Sequence, residues 1–304
     1  MTPIARPYAG DTDRRRLYDF IVACRAAPRH MNYWHVGDLI WGLYQNTVFD
    51  PARNIRLWSA PDGSLLGFAW FEPPRALGMQ LHPSVVDDLQ IGAAMLAWAA
   101  GRRDEDCAPP PAERRLVASA FADDGARIAL LTQQGFAGSA QALVHMRRDL
   151  PIVPPLPPPP AGFVVRPVAG DDEFAARVAL HREVWHPSRV TLAAYRRLRM
   201  VPGYRPDLDL IAVAPDGRLA AYCIAWLDAA NRLGEFEPVG THPAFRGQGL
   251  AQAVVHEGCR RLHAAGAQAV MLLTSESNTA ARHLYARLGF VEQQREIYYV
   301  EHGA

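Results

Sequence analysis

Landmarks in the first half of this chain return in the same order in the second, on either side of a stretch made almost entirely of proline. That stretch, residues 151–162, reads Pro-Ile-Val-Pro-Pro-Leu-Pro-Pro-Pro-Pro-Ala-Gly. Proline fixes φ and removes a backbone donor, so the segment continues neither helix nor sheet and predicts an extended, semi-rigid linker. Arg6-Pro7 with Ala9-Gly10-Asp11 returns as Arg166-Pro167 with Ala169-Gly170-Asp171. Ala60-Pro61-Asp62-Gly63, a hairpin turn between apolar runs, returns as Ala214-Pro215-Asp216-Gly217. Leu81-His82-Pro83 returns as Thr241-His242-Pro243, and 126–136, ending in Gly135-Phe136, returns as 280–290, ending in Gly289-Phe290. Such a repeat predicts two copies of one domain, 1–150 and 163–304.

Of the 304 residues, 49% are apolar, enough for each half to bury its own core. A net charge of +1 argues against a broad electrostatic grip on nucleic acid and points to small-molecule partners. The N-terminus lacks the apolar core of a secretory signal, and the apolar run 91–100 is too short to span a bilayer. The expectation is a cytoplasmic protein without membrane contact. Cys24, Cys107, Cys223 and Cys259 are scattered without metal-ligand spacing, which predicts reduced structural thiols and no metal site. Oligomeric state is not readable from the chain.

The second half reads as a strand at 163–167, helices at 171–185 and 191–200, and a hairpin of 208–214 with 219–227. A strand at 232–241 follows, then a helix from about 249 to 265, a buried strand at 269–274, a last helix from Asn278 to Gly289, and two closing strands within 290–301. Leu250, Val254, Gly258 and Leu262 stand at i+4 spacing on the longer of the late helices, one face for a sheet. Asn278 suits an N-cap and Gly289 a C-terminal stop.

The chemistry concentrates where the 232–241 strand runs into that helix: Val239-Gly240-Thr241-His242-Pro243-Ala244-Phe245-Arg246-Gly247-Gln248-Gly249-Leu250-Ala251. A diphosphate needs several donors converging on it, and backbone N–H groups entering a helix supply them together with the positive end of the helix dipole. Gly247 and Gly249 permit close approach, and Arg246 adds a fixed positive charge. Downstream, Asn278 to Phe290 forms a capped helix carrying Tyr285.

On these residues the second half resembles the GNAT superfamily of N-acetyltransferases. The family's signature of glutamine or arginine, two residues, glycine, one residue, and glycine or alanine is met by Arg246, Gly249 and Ala251. The resemblance implies an α+β fold, an α/β/α sandwich, with two tandem GNAT-like domains, each a mixed, mostly antiparallel sheet flanked by helices. It implies acetyl-CoA as donor, bound by Val239, Gly240 and Thr241 of a splayed strand, by the turn Arg246, Gly247, Gln248, Gly249, Leu250 and Ala251, and by Asn278. Pro238 fits a strand that leaves its neighbour, since proline is tolerated where no ladder bond is required. The family-like oxyanion donor is the backbone N–H near Val239.

An alkylamine acceptor with a pKa of about 10 must lose a proton before it attacks a thioester. Glu235 and Glu237 point to the same face of one strand and are the base candidates, Glu237 the nearer to the thioester end; the alternative is a substrate-orienting or salt-bridged pair. Tyr285 matches the tyrosine many family members use to protonate the leaving thiolate, with packing against the sheet as its alternative role. Trp185, His186 and Tyr195 are candidates for the roof of an acceptor pocket.

The first half departs from the pattern. After His82-Pro83 it reads Ser84-Val85-Val86-Asp87-Asp88-Leu89-Gln90-Ile91-Gly92, with no arginine and two aspartates, and it has Leu131 for Tyr285 and Asp124 for Asn278. It is expected to keep the fold and bind coenzyme A poorly or not at all. Its run Met31 through Trp41 lines an acceptor site, makes an interdomain contact, or fills the core. A tandem pair with one active copy resembles the mycothiol synthase group in architecture. The function expected is acetyl transfer to a primary amine of a small molecule; a non-catalytic acetyl-CoA sensor and a protein or peptide N-acetyltransferase are the alternatives.

Overall fold

The computed structural model describes residues 3–27, 32–105, 115–152 and 158–302. The first repeat runs β1 (Ile4–Pro7), α1 (Asp11–Arg25), α2 (Val36–Tyr44), α3 (Pro51–Asn54), β2 (Ile55–Ser59), β3 (Leu65–Glu72), β4 (Ala76–Leu81), α4 (Leu89–Glu105), β5 (Val117–Phe121), α5 (Gly125–Gln133) and β6 (Phe136–Asp149). The second runs β7 (Val164–Pro167), α6 (Asp171–Val184), α7 (Leu192–Leu198), β8 (Asp209–Val213), β9 (Leu219–Asp228), β10 (Leu233–Thr241), α8 (Leu250–Ala264), β11 (Ala269–Ser275), α9 (Thr279–Arg287) and β12 (Val291–Glu301).

The repeated landmarks form the same local devices. Gly63 and Gly217 take positive φ values of 86° and 84°, which glycine adopts without strain. Ala60 N donates to Ser64 O and Ala214 N to Arg218 O, each at 2.9 Å, closing matching turns. Asp13 and Glu173, at the same place in α1 and α6, each accept from a backbone N–H, Ala9 and Ala169, at 2.8 Å, and pair with Arg6 and Arg166.

The two sheets are fused into one of twelve strands, in the order β1-β2-β3-β4-β5-β12-β6-β11-β10-β9-β8-β7. All neighbours are antiparallel except β4–β5 and β10–β11. Each repeat gives its last strand to the other: β6 pairs with β11, while β12 lies between β5 and β6. This corrects the expectation of two closing strands in the second half. Residues 291–301 form a single strand, interrupted by irregularities at Glu292/Gln294 and Ile297/Tyr299, and β6 of the first repeat fills the other place.

Helix α8 lays Leu250, Val254 and Leu262 into the core over β9 and β10, as its spacing predicts. Gly258 is part of that face because a Cβ there would lie 2.4 Å from the Phe236 ring. A further core joins the repeats: Ile40 and Trp41 of α2 pack with Val178, Tyr195, Ile224 and Trp226. Cys24, Cys223 and Cys259 are free and buried, and burial pushes the Cys24 and Cys259 thiols up to about 12, which keeps them unreactive. Cys107, Met31 and 153–157 of the linker lie outside the described residues. No helix among the described residues is long and apolar enough to cross a membrane.

Candidate active site

The site begins where β10 parts from β11. Parallel pairing holds for Leu233↔Ala269, Gly234↔Val270 and Glu235↔Met271 and then stops. On its other edge β10 continues beside β9 through Val239↔Cys223, Gly240↔Tyr222 and Thr241↔Ala221, after a bulge that sets Glu237 and Pro238 opposite one β9 residue. Val239, Gly240 and Thr241 therefore stand on a strand whose β11 side is unpaired among the described residues. Thr241 Oγ1 is buried there without a partner. Gly240 has a packing role as well, since a Cβ would meet Val184 Cγ1 at 2.7 Å.

Beyond Thr241, His242 Nδ1 accepts from Ala244 N at 3.0 Å, and a short turn leads to α8. Gly247 and Gly249 have φ of 79° and 78°, and no atom lies within 4 Å of a Cβ built on either. Gly249 is the N-cap of α8 and offers no side-chain oxygen to its first N–H groups. Gly247, Gln248 and Gly249 donate to no backbone carbonyl among the described residues. Arg246 is exposed beside them, Leu250 is buried in the core, and Ala251 is half-buried. The turn thus presents exposed backbone N–H groups at the positive end of α8.

Asn278 caps α9, its Oδ1 accepting from Ala281 N at 3.1 Å. Two turns on, Tyr285 is 7% exposed and packs on Phe290, and no partner of its hydroxyl is found among the described residues. Burial, then the field of Glu237 and Cys223, holds the phenol well above its ordinary range, so it stays protonated and able to donate.

Glu237 opens on a cavity of about 350 Å³ shared by both repeats. Trp41, Gln45 and Glu72 line it from the first and His181, Trp185 and Arg189 from the second. Burial, reinforced by Asp38 and Glu235, pushes the Glu237 carboxyl up to about 8. Asp38, on α2, is itself pushed up to about 7 by burial and Glu235. His181 is pushed down to about 3 by burial and Arg177, so the cavity wall presents a neutral imidazole, held by Tyr222 at 2.6 Å. Glu235 is 1% exposed and lies against His35 of the first repeat.

Of the roof residues expected from sequence, Trp185 lines the cavity, donating to the Tyr222 hydroxyl at 2.8 Å. Tyr195 does not: its hydroxyl donates to the buried Asp209 at 2.6 Å within a network that includes Arg177. His186 is not among the lining residues, although Trp185 and Pro187 beside it are. The sequence pointed to the run ending at Trp41 without separating its members; Trp41 lines the cavity, Ile40 fills the core, and His35 and Asp38 face the glutamates.

Residues 168–290 match the acetyltransferase (GNAT) family. A mycothiol acetyltransferase from Salinispora arenicola is 31% identical over 264 residues, 82% of this chain and 81% of that one. The chain belongs to the GNAT acetyltransferase family. It is an N-acetyltransferase of the tandem type. A mycothiol acetyltransferase from Kineococcus radiotolerans is 38% identical over 143 residues, 46% of each chain. Two solved structures share the fold: a GCN5-related N-acetyltransferase from Sphaerobacter thermophilus (TM-score 0.69, 23% identity, 98% of this chain and 95% of that one) and a tandem GNAT protein from the clavulanic acid biosynthesis pathway (TM-score 0.69, 18% identity, 98% of each).

Proposed function

We propose that the second repeat, 163–304, is the catalytic unit and transfers an acetyl group from acetyl-CoA to a primary amine of a small molecule, by direct attack in a ternary complex. The first repeat, 1–150, keeps the fold without the cofactor. The observation that carries this reading is the placement of Glu237 between the parted β10–β11 edge and an open cleft lined by both repeats. Arg246, Gly247, Gln248, Gly249, Leu250 and Ala251 would hold the diphosphate, and Val239, Gly240, Thr241 and Asn278 the cofactor's arm. Acetyl-CoA supplies an activated thioester.

Glu237 takes the proton from the ammonium form of the acceptor, a role for which a carboxyl raised to about 8 is matched in basicity. Tyr285, kept protonated by its surroundings, returns a proton to the departing thiolate. The Val239 N–H would donate to the oxygen on which negative charge develops. A cavity of about 350 Å³ suits a small acceptor better than a peptide. The relatives' name makes mycothiol-related amines the first acceptors to try. A cytoplasmic setting fits the buried thiols, which stay reduced there.

The test is thiol release on mixing the protein with acetyl-CoA and a panel of small primary amines. Turnover with one or more amines supports the enzyme; tight cofactor binding with no turnover across the panel replaces it with a sensor. Tyr285→Phe should lower kcat by roughly tenfold to a hundredfold while acetyl-CoA affinity stays within about twofold. Unchanged kcat removes the acid role from Tyr285.

A further inference from the structure

His181, on α6, lines the cleft on which Glu237 opens, and its two ring nitrogens are differently placed. Nδ1 lies 2.6 Å from the hydroxyl oxygen of Tyr222, and the Trp185 indole N–H donates to that same oxygen at 2.8 Å. An indole N–H only donates, so it takes one lone pair of the phenol oxygen and leaves the phenol hydrogen to be placed. The Tyr222 side chain is fully buried, and Nδ1 of His181 is the acceptor its hydroxyl has among the described residues. A buried hydroxyl keeps its hydrogen bonded, so Tyr222 donates to Nδ1 and the ring hydrogen of His181 sits on Nε2. Burial, then the charge of Arg177, pushes the imidazole down to about 3, so it stays neutral. Burial also holds the Tyr222 phenol well above its ordinary range, so the donated proton stays in place.

Nε2 has no partner among the described residues, and unlike Nδ1 of His145 it is not shut off from solvent, which leaves it open to the cleft that His181 lines. The ring is held in this orientation from both repeats. The His181 side chain is buried, with the ring of Trp41, from the first repeat, at a centroid distance of 5.4 Å. Tyr222 is fixed in turn, with the Arg177 guanidinium 3.6 Å over its ring. Its other neighbour is Gly240, where a Cβ would come within 2.9 Å of Tyr222 Cε1. Gly240 belongs to the stretch of β10 assigned to the cofactor's arm, so the chain from Trp185 through Tyr222 to His181 stands beside that strand. The charged and titratable groups that share the cleft with His181 are Glu237, Glu72 and Arg189. An alkylamine arrives as an ammonium ion, which an imidazolium would repel; a neutral N–H offers a donor without that repulsion.

We propose that the Nε2–H of His181 is a specificity contact: it donates to an oxygen that the acceptor carries close to its amine, so that amino alcohols and α-amino amides are taken in preference to plain alkylamines. Glu237 and His181 then read two features of one small molecule, the nitrogen and a neighbouring lone pair. Tyr222 and Trp185 are positioning residues that fix the donor, and Trp41 gives the first repeat a part in acceptor choice that does not require it to bind cofactor. A donor left facing an alkyl group goes unpaired, which is how such a site discriminates. This inference deepens the acetyl-transfer reading and rests on the cleft being the acceptor's.

Two measurements test it. In protein with ¹⁵N-labelled histidine, the His181 signals, assigned by their loss in His181→Gln, should report the neutral Nε2–H tautomer from about pH 6 to about pH 9. An imidazolium or an Nδ1–H signature overturns the assignment, whatever the activity. The second measurement compares ethanolamine with propylamine and glycinamide with isobutylamine, by kcat/KM in thiol release and by calorimetry with coenzyme A bound. The amines differ in basicity, so the quantity read is the preference for the oxygen-bearing member in the wild type divided by that in a variant. His181→Phe should reduce the preference by roughly threefold to tenfold, the size of one neutral hydrogen bond, and leave the alkylamines nearly unaffected. His181→Gln, whose amide accepts from Tyr222 and donates to the cleft, should keep most of it. Loss in the ethanolamine pair alone assigns a hydroxyl as the oxygen bound, and loss in the glycinamide pair alone a carbonyl. An unchanged preference in folded His181→Phe, or an equal loss for all four amines, overturns the proposal. If none of the four turns over while calorimetry shows the preference that His181 confers, the transfer reading falls and the contact stands.

Discussion

Helices α4 and α8 enter the sheet at equivalent places after matching His-Pro turns, and they spend their first N–H groups in opposite ways. At α4, Asp88 Oδ1 accepts from Gln90 N at 2.9 Å and Ile91 N at 3.3 Å, so the helix caps itself with a negative charge. At α8, the N-cap Gly249 has no side chain to do this. The strands before them differ too. In the first repeat, α5 sends Arg127 to the Met79 carbonyl, at 3.3 Å from each terminal nitrogen; in the second, the equivalent carbonyl is that of Val239, and alanine, Ala281, stands in place of Arg127. The repeat register also puts Leu77 where the second half has Glu237, and Leu131 where it has Tyr285. One backbone frame therefore carries two differently capped helix entrances. A helix entrance can receive an anion only where the chain leaves its donors unspent.

The largest expected effect comes from giving the second repeat the first repeat's leucine. Glu237→Leu should lower kcat by at least about a hundredfold with acetyl-CoA affinity little changed, because the lost step is proton removal rather than binding. The wild-type pH profile carries the same information. Glu237 acts when ionised, and its carboxyl is raised to about 8, so kcat/KM should climb with pH below that value and level above it. A profile flat from pH 6 to 9, or an active Glu237→Leu, would break the contrast with Leu77. Next in size, Gly249→Asp copies the α4 cap onto α8. Calorimetry should show acetyl-CoA binding at least about tenfold weaker, from charge repulsion and lost donors together. Binding to the wild type should saturate at one cofactor per chain. Two equivalents would mean that the Asp88 cap and Arg127 do not close the first repeat.

The repeat, the turns and the glycine entrance to α8 were legible because each is set by neighbours in sequence: a Pro-Asp-Gly turn, a glycine with positive φ, a capping Asn278. The exchange of β6 and β12 was not. Both segments read as strands, but alternation along a strand states which face is buried and not which strand lies beside it. That choice is made by residues more than a hundred positions apart, such as Thr274 and Val144 or Ile297 and Ala142. The same limit hid His35 and Asp38. In an apolar and aromatic run they look like core residues or caps, and His35 does accept the Gly37 N–H while Asp38 accepts that of His35 at 2.8 Å. Their approach to Glu235 appears only when the repeats dock. Tyr195 erred in the other direction, since a tyrosine in a predicted roof helix carries no sign of the buried Asp209 that takes its hydroxyl.

The smallest effect separates two roles of one side chain. Asp124 caps α5 by accepting from Arg127 N at 3.0 Å, as Asn278 caps α9. Asparagine and aspartate are nearly equal as caps, so Asn278→Asp should leave thermal stability almost unaltered. It removes two amide donors and brings a negative charge toward the cofactor's arm. If Asn278 also binds that arm, the KM for acetyl-CoA should rise by roughly threefold to tenfold with kcat nearly kept, the size expected for one exposed hydrogen bond and an unfavourable charge. An unchanged KM would make Asn278 a helix cap alone, as Asp124 is. The distinction between the repeats would then rest on the glycine cradle and the proton-handling pair.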